Sequence, residues 1–415
     1  MQYVRVLPPA NNLIQGHVVL DGSKSISNRA LIIRALCSQN FPLEHLSASD
    51  DTQALQAALE NLPPVIDVGA AGTTMRFLCA YLAVQKGEFV LTGSERMKQR
   101  PIAPLVTALQ QLGANISYTE NEGFPPVKII GQPLAGGVVT MPANISSQFI
   151  SALLLIAPTL KNGMQVQLTT EVVSEPYLDM TLQLMEYFGI KYQKTAQNIS
   201  ILPQPYLPKP LFAEADWSAA SYYYAMAAFG GKVQLHLSGL RENSLQADSA
   251  LPQIMQPLGV NTRYTPAGIE LTRIPVKMPD AFSYNFLHCP DIAQTLAVVC
   301  AGLHIAAQFD GLQTLQIKET DRTAALQQEL AKVNVLFAQH GNAWQLGFAS
   351  DTLYCSQTPV FETWHDHRMA MSFAPLAMIL PGGVVIQNPG VVSKSYPLFW
   401  EHLRELGFML NFYNI

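Results

Sequence analysis

The stretch Ala103–Tyr118, APLVTALQQLGANISY, decides the fold. Leu105, Leu109 and Leu112 recur at helical spacing, Gly113 stands where a left-handed C-cap is wanted, and a strand pattern follows. The same pattern returns at Leu178–Tyr192 with Gly189, at Leu251–Tyr264 with Gly259, at Leu326–Phe337, and at His402–Leu410 with Gly407. In the fourth copy the glycine is missing and Val333 holds its place. The period of 70 to 76 residues is too long for a solenoid repeat and suits a βαββαβ-sized unit. A unit that size buries little alone, so several must pack together. The Pro-rich stretch Leu202–Pro210 breaks the chain near its midpoint, leaving room for three units on each side. The expectation is an α/β protein of two similar halves.

Composition agrees with that size. The chain has 415 residues, 49% of them hydrophobic, more than one ordinary core accommodates. Apolar runs such as Ile150 to Pro158 fall short of the roughly 20 residues that a bilayer span needs, and Met1 to Pro9 has no signal-peptide core. Cys37, Cys79, Cys289, Cys300 and Cys355 are odd in number, scattered and set among apolar neighbours, as reduced thiols are. A cytoplasmic protein with no membrane partner is expected. A net charge of −5 and the lack of any Lys/Arg run argue against nucleic acid.

Only 13% of residues are charged, so the positions of the cations are informative. Lys24, Arg29, Arg76, Lys98, Arg100, Lys318, Arg322, Arg368 and Lys394 sit in short loops beside Gly, Ser, Thr, Asp or His. Four segments put small polar residues directly before an apolar helix: Gly22-Ser23-Lys24-Ser25, Ala71-Gly72-Thr73-Thr74, Ile145-Ser146-Ser147-Gln148 and Asp216-Trp217-Ser218. Ordinary N-capping explains any one of them. The first two are followed within a turn by Arg29 and Arg76, and a helix start that gathers cations suits phosphate or carboxylate. Ser23 before Lys24 breaks the P-loop pattern, and no G-x-G-x-x-G opens a helix, so neither ATP nor a dinucleotide is indicated.

Met97 to Ile102 places Lys98 and Arg100 ahead of Pro101 at an expected helix start. Were Lys318-Glu319-Thr320-Asp321-Arg322 to enter the following helix, Lys318 and Arg322 would share one face, with Glu319 and Asp321 pointing elsewhere. His365-Asp366-His367-Arg368 leads into Met369–Ile379; its H-x-H lacks the partners of a metal site, and none is expected. Ser393-Lys394-Ser395 is read as opening the last helix. Two cations 4 Å apart repel by about 4 kcal/mol at an effective dielectric near 20, so a shared cluster calls for a multiply charged ligand.

These motifs resemble, in order, those of the 3-phosphoshikimate 1-carboxyvinyltransferase (enolpyruvylshikimate-phosphate synthase) family. Lys24 to Ala30, Ala71-Gly72-Thr73 with Met75-Arg76, Arg96 to Pro101, Ser146 to Phe149, Pro290-Asp291, Lys318 to Arg322, Asp366 to Ala370 and Ser393-Lys394 carry the likeness. The resemblance implies the enolpyruvyl transferase fold, an inverted α/β barrel: two domains, each of three βαββαβ units around a pseudo-threefold axis. It implies boundaries at 1–21 plus 215–415 and at 22–214, with the active site in the cleft between them. By the same resemblance, Lys24, Ser25, Arg29, Ser146, Ser147, Ser174, Tyr177, Asp291 and Lys318 contact shikimate 3-phosphate. Lys24, Gly72, Arg100, Gln148, Arg322, Arg368 and Lys394 contact phosphoenolpyruvate. Asp291 and Glu319 are its acid/base carboxylates, with Lys24 and Lys394 sharing proton traffic. No cofactor and no metal is implied, and a monomer is expected.

Ala70 and Thr314 stand where the family usually carries Asn, and Trp364-His365 replaces an aromatic-Asn pair. Each hydrogen bond lost to a charged partner is worth about 1.5–3 kcal/mol, so weakened binding is expected there. A UDP-N-acetylglucosamine enolpyruvyl transferase would carry Lys-Asn at Lys24-Ser25 and a reactive Cys among Met97 to Pro101; neither is present. RNA 3′-terminal phosphate cyclases share the repeat but not this charge balance. A non-catalytic anion-binding relative would have no need of Asp291, Glu319 and Lys394 together.

Overall fold

The computed structural model describes residues 1–144, 146–170, 172–350, 353 and 357–415, so Ile145 of the third helix-start motif and Cys355 lie outside the described residues. The chain forms two compact units, residues 22–213 and residues 1–21 with 214–415. Strands β1 (Gln2–Leu7) and β2 (Leu13–Val19) open the chain and belong to the second of these. No helix among the described residues is long and apolar enough to cross a membrane.

The 22–213 unit contains α1 (Lys24–Leu36), α2 (Asp50–Asn61), α3 (Gly72–Ala83), α4 (Ala103–Gln111), α5 (Ser147–Ile156) and α6 (Glu175–Tyr187). One four-stranded sheet runs Val65–Asp67, Gly87–Thr92, Val127–Gly131, Asn115–Tyr118 in space, and a second runs Tyr192–Lys194, Asn198–Ile201, Met164–Leu168, Gly137–Met141. The third sheet has only Leu43–Glu44 and Leu211–Phe212, paired in parallel.

The other unit contains α7 (Trp217–Phe229), α8 (Leu251–Met255), α9 (Ala293–Gly302), α10 (Arg322–Ala331), α11 (His367–Phe373) and α12 (Phe399–Glu405). It has three four-stranded sheets, two of which the N-terminal segment completes. β2 pairs in parallel with Lys232–Ser238, and β1 lies antiparallel between Val384–Gln387 and Met409–Asn414. Within each full unit the order is βαβαββ: both hairpin strands follow the second helix instead of separating the two helices.

Two kinds of helix alternate. Helices α3, α5, α7, α9 and α11 are apolar nearly all round and almost wholly buried, as a helix enclosed on every side must be. Ser221, Thr295 and Ser372 link α7, α9 and α11 through buried hydroxyls 3.0 and 3.2 Å apart, satisfying one another where the three helices meet. Helices α2, α4 and α10 bury one stripe only. The glycine pattern marks the end of the second helix in each unit. Gly113, Gly189, Gly259 and Gly407 take φ between 86° and 93°, which a side chain disfavours. In the copy without glycine the left-handed residue is Asn334 (φ 61°), one position after Val333; Asn tolerates this region better than a β-branched residue does.

Candidate active site

In residues 214–415 the charged motifs gather at helix starts. Asp321 caps α10 by accepting from Thr323 and Ala324 N–H, and Asp366 caps α11 by accepting from Arg368 N–H. These caps fix where the arginines begin. Arg322, 1% exposed, donates from Nε to Asp366 (2.7 Å), from Nη1 to Asp291 (3.1 Å) and from Nη2 to Glu319 (3.0 Å). Arg368 Nη2 reaches the other Asp291 oxygen at 3.0 Å, Lys318 lies 3.8 Å from Asp291, and Lys394 lies 3.7 Å from Glu319. Six of the expected residues, Asp291, Lys318, Glu319, Arg322, Arg368 and Lys394, therefore form one network.

Several local expectations are corrected. The helix begins at Arg322, and Lys318 is extended backbone after the 3-10 turn Gln313–Ile317, so the two cations do not share a helical face. Glu319 does not point elsewhere but binds Arg322. Lys394 ends the 3-10 segment Pro389–Lys394, and the last helix starts only at Phe399. Helix α4 starts at Ala103, with Ile102 as its cap and Pro104 in its first turn, not at Pro101. The apolar run Met369–Ile379 is split between α11 and the 3-10 turn Ala374–Met378.

The electrostatics separate the groups. Burial alone would raise the Asp291 carboxyl, but Arg368, Lys318 and Arg322 outweigh it and hold it well below the usual carboxylate range. Asp291 is therefore an anion at neutral pH. Desolvation lowers Lys318 from the ordinary lysine value, with Arg322 and Arg368 acting in the same direction against Asp291. Desolvation would also lower Arg322, but Asp366, Glu319 and Asp291 reverse the effect and keep it charged.

In residues 22–213, Lys24 opens α1 and its ammonium meets the buried Asp51 at 3.0 Å. The Asp51 carbonyl accepts from Thr74 Oγ1 in the first turn of α3 (2.7 Å), and Thr73 beside it accepts from the Gln148 amide at the start of α5 (3.2 Å). Ser146 caps α5 by accepting from Gln148 N–H, with Ser147 as its first residue. Arg100 and Arg76 flank Gly72: a Cβ there would lie 2.7 and 2.8 Å from their guanidinium nitrogens. Lys24, Gly72, Arg100, Ser146, Ser147 and Gln148 thus lie about the starts of α1, α3 and α5.

Arg29 and Arg76 turn back on their own helices, donating to the carbonyls four residues earlier, Ser25 at 2.9 Å and Gly72 at 2.8 Å. Arg29 also donates to Thr181, Ser151 and the Tyr177 carbonyl and is 2% exposed, so its guanidinium joins α1 to α5 and α6. Burial lowers it to about 10. Tyr177 enters this set through its carbonyl, and Ser174 precedes α6 with φ 61°. Lys98 lies 3.4 Å from Glu95 and 3.3 Å from Glu120.

Thr314 is 8% exposed, and its hydroxyl meets no hydrogen-bond partner among the described residues. His367 is buried beside Asp366, and among the described residues no three His, Cys, Asp or Glu side chains group as a metal site. Asp51, the partner of Lys24, and Asp366, the partner of Arg322, are site residues that the motifs did not single out as such. The capping position of Asp366 was a usable signal; Asp51 had none.

Two solved structures share this architecture over the full chain. An EPSP synthase from Acinetobacter baumannii matches with a TM-score of 0.78 at 21% identity, covering 100% of both chains. The enolpyruvyl transferase NikO from Streptomyces tendae matches with 0.76 at 14% identity, covering 100% of this chain and 99% of that one. The fold is that of the enolpyruvyl transferases. Residues 59–403 match the profile of EPSP synthase (3-phosphoshikimate 1-carboxyvinyltransferase), and the chain belongs to that family. A 3-phosphoshikimate 1-carboxyvinyltransferase from Bacteroides fragilis is 47% identical over 406 residues, covering 98% of each chain. One from Sulfurovum sp. is 34% identical over 430 aligned positions, covering 95% of this chain and 97% of the relative.

Proposed function

We propose that the protein transfers the enolpyruvyl group of phosphoenolpyruvate to the 5-hydroxyl of shikimate 3-phosphate and releases phosphate. This is a step of aromatic amino-acid biosynthesis, and the enzyme is a transferase of alkyl or aryl groups other than methyl. The observation that carries the reading is the network in which Lys318, Arg322, Arg368 and Lys394 alternate with Asp291 and Glu319. A binding site for anions needs the cations; proton transfer needs the carboxylates as well.

The balance of the reaction assigns work to both kinds of group. A proton adds to the methylene carbon of phosphoenolpyruvate, and the 5-hydroxyl oxygen bonds to the adjacent carbon as its own proton leaves to a base. The bond from that carbon to phosphate then breaks, and a proton leaves the new methyl group to restore the double bond. Asp291, held ionised by three cations, is the base at the hydroxyl. Glu319, 3.7 Å from Lys394, exchanges the proton at the methylene carbon, with Lys394 and Lys24 supporting it. Arg322, Arg368, Arg100, Gly72, Gln148, Lys24 and Lys394 hold phosphoenolpyruvate. Ser25, Arg29, Ser146, Ser147, Ser174, Tyr177, Asp291, Lys318 and Lys24 serve shikimate 3-phosphate, Arg29 by tying α1 to α5 and α6. Residues 1–21 with 214–415 thus supply the acid/base carboxylates and the phosphoenolpyruvate-binding Arg322, Arg368 and Lys394, and residues 22–213 supply most shikimate 3-phosphate contacts. The same reading makes the enzyme a cytoplasmic monomer, which sedimentation of the purified protein tests for assembly state.

Phosphate release from phosphoenolpyruvate, measured with shikimate 3-phosphate and separately with UDP-N-acetylglucosamine, is the deciding experiment. Release with the first alone is expected. Release only with the second, or with neither, overturns the reading.

A further inference from the structure

The acid/base network contains a fourth carboxylate that the reaction above leaves without a task. Asp248 sits in the 3-10 turn Ala247–Ala250, is 3% exposed, and shares a hydrogen bond through Oδ2 with the Ser218 hydroxyl. Its other oxygen is buried and meets no hydrogen-bond partner among the described residues. Burying a carboxylate oxygen unanswered disfavours its ionised form. The Ser218 oxygen also accepts from Arg368 Nη2 at 3.4 Å, and the same nitrogen donates to Asp291 at 3.0 Å. Arg368 is therefore shared by two carboxylates, one directly and one through a hydroxyl.

The groups facing Asp248 come from every neighbouring element. Asp216 and Ser218 lie at the start of α7, Tyr284 and Cys289 on the segment before α9, Asp291 in the turn leading into α9, and Arg368 on α11. Arg368 is the cation among them. Burial first, and then the Asp291 charge, push the Asp248 carboxyl up to about 7, against the pull of Arg368. In the surrounding network the four cations Lys318, Arg322, Arg368 and Lys394 meet five carboxylates, Asp216, Asp291, Glu319, Asp366 and ionised Asp248. An anion docking on Arg368 thus adds negative charge where carboxylates already outnumber cations, and a proton on Asp248 offsets part of it.

We propose that Asp248 is a positioning residue for Arg368, taking a proton from bulk water when an anion docks on that arginine and returning it when the anion leaves. With Asp248 ionised, Ser218 donates to it and accepts from Arg368. Once Asp248 is protonated its own hydroxyl donates to Ser218, and Arg368 loses the pull of that charge while keeping its contact with Asp291. This rests on the reading of Arg368 as a phosphoenolpyruvate contact.

Calorimetric titration of phosphoenolpyruvate into the full-length protein near pH 7, in two buffers of different ionisation enthalpy, counts the protons taken up. A group half ionised at that pH gains about 0.5 proton on full protonation, so wild type should take up about that much more per ligand than Asp248→Asn. The ligand's own titration is common to both proteins and cancels. The difference should vanish near pH 5, where Asp248 is already protonated. Ser218→Ala, which keeps the carboxyl and cuts the bridge, should move the count toward the Asn variant, and it serves as the test should Asp248→Asn fold poorly. Equal proton counts with binding intact overturn the proposal and leave the activity standing. Failure of the wild-type protein to bind phosphoenolpyruvate overturns the functional reading and this proposal with it.

Discussion

Arg322→Met is the sharpest test of how the acid/base network is held. The guanidinium is 1% exposed and meets three carboxylates at 2.7, 3.0 and 3.1 Å. Each contact near 3 Å is worth about 5 kcal/mol at an effective dielectric near 20, and most of that offsets the desolvation of the ions. Removing the cation leaves Asp366, which is 0% exposed, without its ion-pair partner, and breaking a buried pair in this way costs about 3–5 kcal/mol. Methionine fills most of the space, so the loss is electrostatic rather than a cavity effect. Trp217, Trp344, Trp364 and Trp400 are the chain's four tryptophans, and all lie in the unit that contains Arg322, so tryptophan fluorescence, excited selectively over tyrosine, follows that unit during urea unfolding. With a slope of about 3 kcal/mol/M, the midpoint should fall by about 1–1.7 M urea. Adding Asp366→Asn, which keeps an N-cap acceptor and removes the charge, should restore about 1–3 kcal/mol in the double variant. A midpoint within about 0.3 M of wild type, or a double variant weaker than Arg322→Met, would refute the reasoning.

Three further outcomes are expected. Glu319→Gln should lower kcat by about 10²–10⁴-fold while changing the dissociation constant of phosphoenolpyruvate by less than about tenfold; unchanged turnover removes Glu319 from proton transfer. Gly72→Ala places a carbon 2.7 Å from Arg100 Nη1 and 2.8 Å from Arg76 Nη1, so both arginines must move. Misaligning such charge-assisted contacts is worth about 1.5–3 kcal/mol, read as at least a tenfold rise in the KM for phosphoenolpyruvate at a nearly constant melting temperature. Asp248 has a folded value of about 7. Against an unfolded value of about 3.9, the folded state binds the extra proton between those limits, so Asp248 makes stability fall as pH rises from about 4 to about 7. Asp248→Asn should remove that slope and gain stability over wild type at about pH 8 but not at about pH 4; parallel curves would show that the carboxyl is not held neutral.

The helix starts at Asp216 and Ser146 were legible because capping is local: each accepts an N–H two or three residues ahead, within reach of sequence spacing. The repeat was legible for the same reason, since a left-handed residue closes the second helix of a unit whether it is Gly113 or Asn334. The location of Lys318 was not, because the 3-10 turn before it reorients the backbone outside any helical period. Nor were the partners of the cations. Asp51 is 27 residues from Lys24, and Asp366 is 44 from Arg322, separations that only tertiary packing closes. Arg29 shows the opposite failure: its motif position suggests a ligand contact, while the fold uses most of its donors internally.

The placement of β1 between Val384–Gln387 and Met409–Asn414, and of β2 beside Lys232–Ser238, bears on the order of events during synthesis. The ribosome delivers the first 21 residues long before their sheet partners exist, whereas residues 22–213 emerge as one uninterrupted piece. That inner piece can fold as soon as it is released, while β2 waits with an unpaired edge for residues 232–238 and β1 waits for residues 384–414. A gene rewired to join Ile415 to Met1, whose backbones are already hydrogen-bonded at 3.0 Å, and reopened between Asp21 and Gly22, would deliver those strands after their partners and spare them the exposure.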